Sequence, residues 1–373
     1  MKWTDQLQEI IDQPDDYAKQ WKVETGGKVV GALCSYAPVE IIQAAGALSY
    51  RIFGSGGNVF SYADAHIQSY CCSLVRGILN DALAGKLNFL DGVVFSHTCD
   101  TMQRLSDIWR LNAGLGFHED LVLPVKLNSD TARQYAVGIL ETFRTSLAKH
   151  LDVTITDAAI GEAIKTMNQV RTTIHQLNRA RINNPAIISS GDLYTAVRTA
   201  MVIDPRQWMD IMADVLSGLP EHADVPQPPL KRVLLSGAVC GYRGIHDFIE
   251  ENGGTVVYDD MCTGARYADG LVDEASAPIP AIADRYMRRL NCPSKHAGIY
   301  ARGEHLVETA KTTNADGVIF LLLKFCDPHA FDYPYLKTML DDASIPSLLL
   351  EVEAPFIFGG QAATRVEAFL EML

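Results

Sequence analysis

The stretch DGVIFLLLKFCDPH, Asp316 to His329, decides the reading of this chain. It begins as an apolar run suited to a buried strand and stops abruptly at Cys326, Asp327 and Pro328. An earlier stretch, DGVVFSHTCD from Asp91 to Asp100, opens on the same three residues and also ends on Cys-Asp. Two strands that close on the same pair suggest one site served by a fold built twice.

Outward from these stretches, apolar runs alternate with amphipathic helical segments. KVVGAL (Lys28 to Leu33) reads as a strand, PVEIIQAAGAL as a helix opened by Pro38, and IQSYCCSLVRGILNDALAG as a helix closed by Gly85. DGVVFSH is the next strand, MQRLSDIWRLN a helix, and LVLPVKL (Leu121 to Leu127) a further strand. From Ser129 to Ser217 the strand signal gives way to long helical periodicity. LPEHADVPQPPLK, with Pro220, Pro226, Pro228 and Pro229, suits neither a helix interior nor a central strand and marks a linker. Alternation then resumes with KRVLLSGAV, GIHDFIEENGG, TVVYDD, a helix around IPAIADRYMRRL, DGVIFLLLKF, a helix near YPYLKTMLDD, and SLLLEVE. The expected architecture is α/β, with two parallel-sheet lobes related by duplication. Its boundaries fall at 1–128 for the N-terminal lobe, 129–218 for a helical bridge, 219–230 for the linker and 231–373 for the C-terminal lobe.

Composition agrees with two cores. The chain has 373 residues, more than one core usually serves, and 48% of them are hydrophobic. Its 32 basic and 45 acidic residues leave a net charge of −13, and the basic residues are scattered, which argues against a nucleic-acid footprint. The amino terminus, MKWTDQLQEIIDQPDDYAKQW, reads as a polar amphipathic helix without the layout of a signal peptide. No apolar run reaches the roughly 18 residues of a membrane span. A cytoplasmic location without membrane association is therefore expected, and there the eight cysteines are buried hydrophobes or ligands rather than disulfides.

Position separates the two roles. In open parallel sheets ligands bind beyond the carboxyl ends of the strands, where Cys34, Cys99, Cys240, Cys262 and Cys326 fall. The order also matches between halves: Cys34 with Cys240, Cys72 with Cys292, Cys99 with Cys326. A helix amino terminus favours the thiolate, the form that binds iron or zinc. Cys71, beside Cys72 on a helix, reads as a core residue. No C-x-x-C pair occurs; Cys72 to Cys99 is 27 residues and Cys292 to Cys326 is 34. Such spacing is compatible with a cubane iron–sulfur cluster but does not by itself exclude zinc.

Several motifs recur in order: GALCSYAPVEIIQAAGAL at Cys34, CCSLVR at Cys72, HTCDTMQRLSDIW at Cys99, DDMCTGAR at Cys262, KFCDPHAFDYP at Cys326, and the ending GGQAATRVEAFLEML. With them the chain resembles the 2-hydroxyacyl-CoA dehydratases and ATP-dependent benzoyl-CoA reductases over nearly its whole length. The resemblance implies two flavodoxin-like, doubly wound lobes holding a [4Fe-4S] cluster on Cys72, Cys99 and Cys326. It also implies an acyl-CoA substrate, a related cluster-carrying subunit in a heterodimer (or a homodimer), and a separate ATP-dependent iron–sulfur activator that delivers single electrons. The chain has no G-x-x-x-x-G-K-[ST] loop, which places the ATP step on a partner.

Cys34, Cys262 and Cys292 exceed what a single three-cysteine cluster needs. The chain is similar in this respect to the double-cubane cluster proteins, whose [8Fe-9S] centre is held by six cysteines. That likeness implies Cys34, Cys72 and Cys99 for one cubane and Cys262, Cys292 and Cys326 for the other, with Cys240 competing with Cys262. A third reading is a binding subunit that keeps the fold and the cysteines without turnover.

Among other polar residues, His97 and His329 flank the presumed ligands as candidate hydrogen-bond donors or general acids. Asp100 and Asp327 read as caps of the helices that follow. Arg266 and Lys295 are candidate phosphate or carbonyl contacts. Neither GALCSYAP nor SGAVCGYRG has the three-glycine spacing of a dinucleotide site.

Overall fold

The computed structural model describes residues 2–54, 60–114, 116–218, 230–289, 291–353 and 359–373, so nearly all of the proline-rich linker lies outside the described residues. The chain forms two four-stranded, all-parallel sheets. The first holds β1 (Lys28–Ala32), β2 (Ala47–Arg51), β3 (Gly92–Ser96) and β4 (Phe117–Leu121), and the second holds β5 (Lys231–Gly237), β6 (Gly254–Asp260), β7 (Gly317–Leu323) and β8 (Ser347–Val352). Their spatial orders, β2-β1-β3-β4 and β6-β5-β7-β8, are the same order repeated. Each sheet reverses its winding between its first and third strands, and such a switch point opens a crevice at the strands' carboxyl ends.

The repeated Asp-Gly-Val has a physical cause. Asp91 Oδ2 accepts from Val29 N at 2.9 Å while Asp91 N donates to Val29 O at 2.8 Å. In the second lobe Asp316 Oδ2 accepts from Arg232 N at 2.7 Å and Asp316 N donates to Arg232 O at 2.6 Å. Each aspartate pins the third strand to the first at its entry and so sets their register. A Cβ on Gly92 would lie 2.5 Å from Phe117 Cβ on the neighbouring strand, which requires glycine there.

Among the described residues, fifteen α-helices surround the sheets. α1 (Trp3–Asp12) and α2 (Pro14–Thr25) precede β1, and α3 (Val39–Ala44), α4 (Ser73–Leu83) and α5 (Asp100–Asn112) follow the first lobe's strands. α6 (Asp130–Leu151), α7 (Asp157–Asn183), α8 (Ser190–Thr199) and α9 (Pro205–Gly218) form the helical stretch. Ser129, Thr156 and Ser189 open the first three of these by accepting the N–H of Ala132, Ala159 and Asp192. α10 (Gly244–Glu251), α11 (Ala265–Ala268), α12 (Pro278–Arg288), α13 (Ala301–Thr312), α14 (Asp327–Asp342) and α15 (Gln361–Met372) belong to the second half.

Several elements differ from the sequence reading. The helix of PVEIIQAAGAL stops at Ala44; Gly46, at φ +74°, turns the chain into the edge strand β2. LVLPVKL is not a strand: β4 is FHEDL, an edge strand with a polar middle, and Pro124 has no N–H for a ladder. The amino-terminal helix is broken at Gln13, where Pro14 starts a second one. The helix at Cys72 begins only at Ser73, and the last long helix begins at Asp327 and accommodates Pro334.

The lobes are joined by more than their connections. One face of the first sheet, with Val30 and Val94, packs with Leu140 and Phe143 of α6, Ile160 of α7, and Ile279 and Ile282 of α12, which comes from the second half. Tyr36 donates to Arg289 O and Tyr286 donates to Ala37 O, both at 3.1 Å, with their rings edge-on 5.6 Å apart. Leu127 N donates to His296 O and His296 N to Val125 O. Among the described residues no helix is long and apolar enough to cross a membrane.

Candidate metal centre

The abrupt end of DGVIFLLLKFCDPH is a backbone device. After β7 the chain turns at Phe325, held at φ 64°, a left-handed conformation costly for a bulky residue. The turn sets Cys326 at the N-cap of α14, with its own N–H donating to Leu323 O at 3.0 Å. Cys99 occupies the same place after β3: it is the N-cap of α5, and its Sγ accepts from Met102 N at 3.4 Å. Cys72 is the N-cap of α4. The N–H groups of Val75 and Leu74 favour its thiolate, as the N–H of His329 does for Cys326. The cysteines, not Asp100 and Asp327, take the cap positions, and the aspartates fall in the first turn, where a carboxylate also suits the helix dipole.

These helix termini do not make bare thiolates. Burial outweighs the backbone donors, pushing Cys72 up to about 11 and Cys99 up to about 12, and raising Cys326 as well. The helix starts favour the thiolates as expected, but desolvation of the charged form is the larger effect. Sulfurs buried in this way become thiolates only against added positive charge, which the irons of a cluster supply.

Six cysteines form one electrostatically connected set. Cys99 is raised by Cys72 and Cys34, Cys326 by Cys72, Cys99 and Cys262, and Cys262 by Cys292 and Cys34. Cys34 follows β1, Cys262 follows β6 with its N–H on Ala238 O at 2.8 Å, and Cys292 follows α12. Cys240, the competitor of Cys262, stands apart: it is fully enclosed, its thiol donates to Tyr242 O at 3.2 Å, and no other cysteine among the described residues perturbs it. Among the described residues no three His, Cys, Asp or Glu side chains converge as they would about one metal ion. The donor set is all sulfur, drawn from loops of both lobes, and it suits a multi-iron cluster, whose ligands sit on separate irons.

The remaining candidates are placed as follows. His97 Nε2 bonds Asp120 Oδ1 at 2.9 Å, and Asp120 also takes the hydroxyl of Ser106 at 2.5 Å. His329 is buried and kept uncharged by burial beside Arg266 and Arg302. Arg266 and Lys295, the candidate phosphate or carbonyl contacts, are both buried and bonded to main-chain carbonyls. Arg266 is buried, bonds Asp260 and the carbonyl of Gly237, and has Nη1 3.8 Å from Cys262 Sγ. Lys295 is buried, donates to Leu123 O at 2.8 Å, and interacts with Cys292 and Cys34. Both place cationic groups against thiols.

Beside the cysteines lies a cleft of about 440 Å³, bounded by Cys99, Lys295, Arg302, Ile299, Phe331 and Tyr335. Sequence reading also missed a buried ion pair, Arg171 with Glu40. The available signal was a lone glutamate inside the apolar PVEII.

Residues 34–373 match the family model described as 2-hydroxyglutaryl-CoA dehydratase, D-component. The chain belongs to this family. It is 26% identical over 373 residues to the (R)-phenyllactyl-CoA dehydratase beta subunit of Clostridium sporogenes, covering 100% of this chain and 99% of that one. It is 27% identical to the lactoyl-CoA dehydratase subunit beta of Anaerotignum propionicum, covering 99% and 98%. To a subunit of the benzoyl-CoA reductase of Thauera aromatica it is 27% identical, covering 88% and 86%. In this chain the cysteines of CCSLVR, HTCD and KFCD are each the N-cap of a helix.

Proposed function

We propose that this chain is the iron–sulfur subunit of a low-potential radical enzyme acting on an acyl-CoA thioester, by 2-hydroxyacyl-CoA dehydration or benzoyl-CoA-type ring reduction. The observation that carries the reading is that Cys72, Cys99 and Cys326, three separate N-caps, lie in one connected set of thiols, with Cys99 also bordering a cleft of acyl size. These three would hold a [4Fe-4S] cluster. Such a cluster, when bound, supplies single electrons that a separate ATP-dependent iron–sulfur activator delivers. The chain's own part is to bury the sulfurs, exclude water and orient the thioester beside Cys99. Ile299, Phe331 and Tyr335 give the cleft an apolar wall for the acyl chain. The relatives are named as subunits, which supports a partner subunit for this chain too.

A second reading has its own support. Cys34, Cys262 and Cys292 interact with one another and with the first three, as a six-cysteine double-cubane [8Fe-9S] centre would require. In that case the substrate is a small molecule rather than an acyl thioester. Iron and acid-labile sulfide per chain, measured on anaerobically purified protein and on a Cys34→Ser, Cys262→Ser variant, separate the readings. About four irons, unchanged in the variant, support the acyl-CoA subunit; about eight, falling in the variant, support the double cubane. A colourless protein without iron overturns both and leaves a binding subunit.

A further inference from the structure

A small chamber beneath Cys34 is bounded by Ser49, Arg51, Arg171, Tyr267 and Arg285. Its free volume is about 20 Å³, room for one water-sized occupant. It is separate from the acyl-sized cleft, and among the described residues Cys34 is the only candidate ligand on its wall.

The charges around it do not balance. Arg51, Arg171 and Arg285 are 8%, 2% and 3% exposed, and the carboxylate beside Arg171 and Arg285 is that of Glu40, 0% exposed and bonded to Arg171. Among the described residues three guanidinium groups thus meet one carboxylate, Arg51 acting also on the Cys262 thiol. Among the described residues Arg285 donates only to the main-chain carbonyls of Gly270 and Tyr267, at 2.9 and 3.2 Å. The Nε atoms of Arg51 and Arg171 are buried without an acceptor among the described residues. Burial, with Arg171 and Arg289 as neighbours, pushes Arg285 down to about 9, the mark of a cation short of a counter-charge. Buried charge without a partner is strongly destabilising, and donors in this number and arrangement call for an acceptor.

We propose that this chamber binds a small monovalent anion of halide size, which completes the charge balance of Arg51, Arg171 and Arg285.

Crystals of the anaerobically purified protein grown with bromide test it directly: an anomalous peak is expected between Arg51 and Arg285. In solution, bromide or chloride should raise Tm saturably by roughly 2–4 °C over gluconate at equal ionic strength. Arg285→Met, a neutral side chain of similar length, should raise the half-saturating halide concentration about tenfold or more, each protein being compared with its own Tm in gluconate because the variant also loses the bonds to Gly270 and Tyr267. Should that variant not fold, Arg51→Gln carries the same prediction. A chamber holding only water, or a halide response equal in wild type and variant, overturns the proposal.

Discussion

Phe325 shows how one residue sets the geometry of a site. Its left-handed backbone costs about 1–2 kcal/mol, while its side chain, 48% exposed, gains little from packing. Glycine would remove the strain and lose about 0.5–1 kcal/mol of chain entropy. Phe325→Gly should therefore leave the urea midpoint of unfolding unchanged or raise it; a clear fall would show that the ring, and not the turn, matters. Glu40 is the opposite case. Burial raises its pKa, but Arg171 and Arg285 more than offset this and hold the carboxyl below its ordinary 4.5. A depressed acid stabilises the fold above its unfolded pKa and loses that contribution as pH falls through the folded value. Glu40→Gln should cost about 3–5 kcal/mol near neutrality, by stranding Arg171, and should flatten the loss of stability below pH 4.5, both read from denaturant titrations across pH.

At the scale of elements, the same joint is built twice. Asp91 and Asp316 each hold a first strand to a third through a carboxylate-to-amide bond. Alanine at either should cost about 1.5–3 kcal/mol; a large loss at one and none at the other would mean that the repeat is one of sequence only. The helix starts carry a second prediction. Serine is a better N-cap than cysteine, so Cys72→Ser, Cys99→Ser and Cys326→Ser should keep or raise the Tm of the iron-free protein. All three should lose iron on anaerobic purification, whereas Cys240→Ser should keep it. Iron retained in Cys99→Ser would remove that residue from the ligand set.

Over the whole molecule, the relation between lobes rests on α12 in the first lobe's core and on the reciprocal bonds of Tyr36 and Tyr286. Removing both hydroxyls in a Tyr36→Phe, Tyr286→Phe variant should cost about 1 kcal/mol per bond. Since Cys292 and Cys34 act on Tyr36, the variant should also speed alkylation of these cysteines in iron-free protein, followed by mass spectrometry. Unchanged labelling would show that the packing of α12 alone holds the lobes together.

Much of this was legible in the amino-acid order. β1, β3, β5 and β7 are inner strands, covered on both faces, so they appear as unbroken apolar runs, and the repeated DGV stretches disclosed the duplication. The motifs at Cys72, Cys99 and Cys326 disclosed the family and the thiols to watch. The edge strands were hidden, because ALSYR continues an apolar helix and FHEDL keeps a polar middle. Local pattern carries no record of which loops meet, so the repeat favoured Cys240 and the CTG motif Cys262; the fold encloses one and brings the other to Cys34 and Cys292. The helix starts do favour the thiolates, as read from the sequence, but the net upward shift was not legible for the same reason. A helix start is a local feature, whereas desolvation is set by the tertiary packing around the sulfurs, and it is the larger effect.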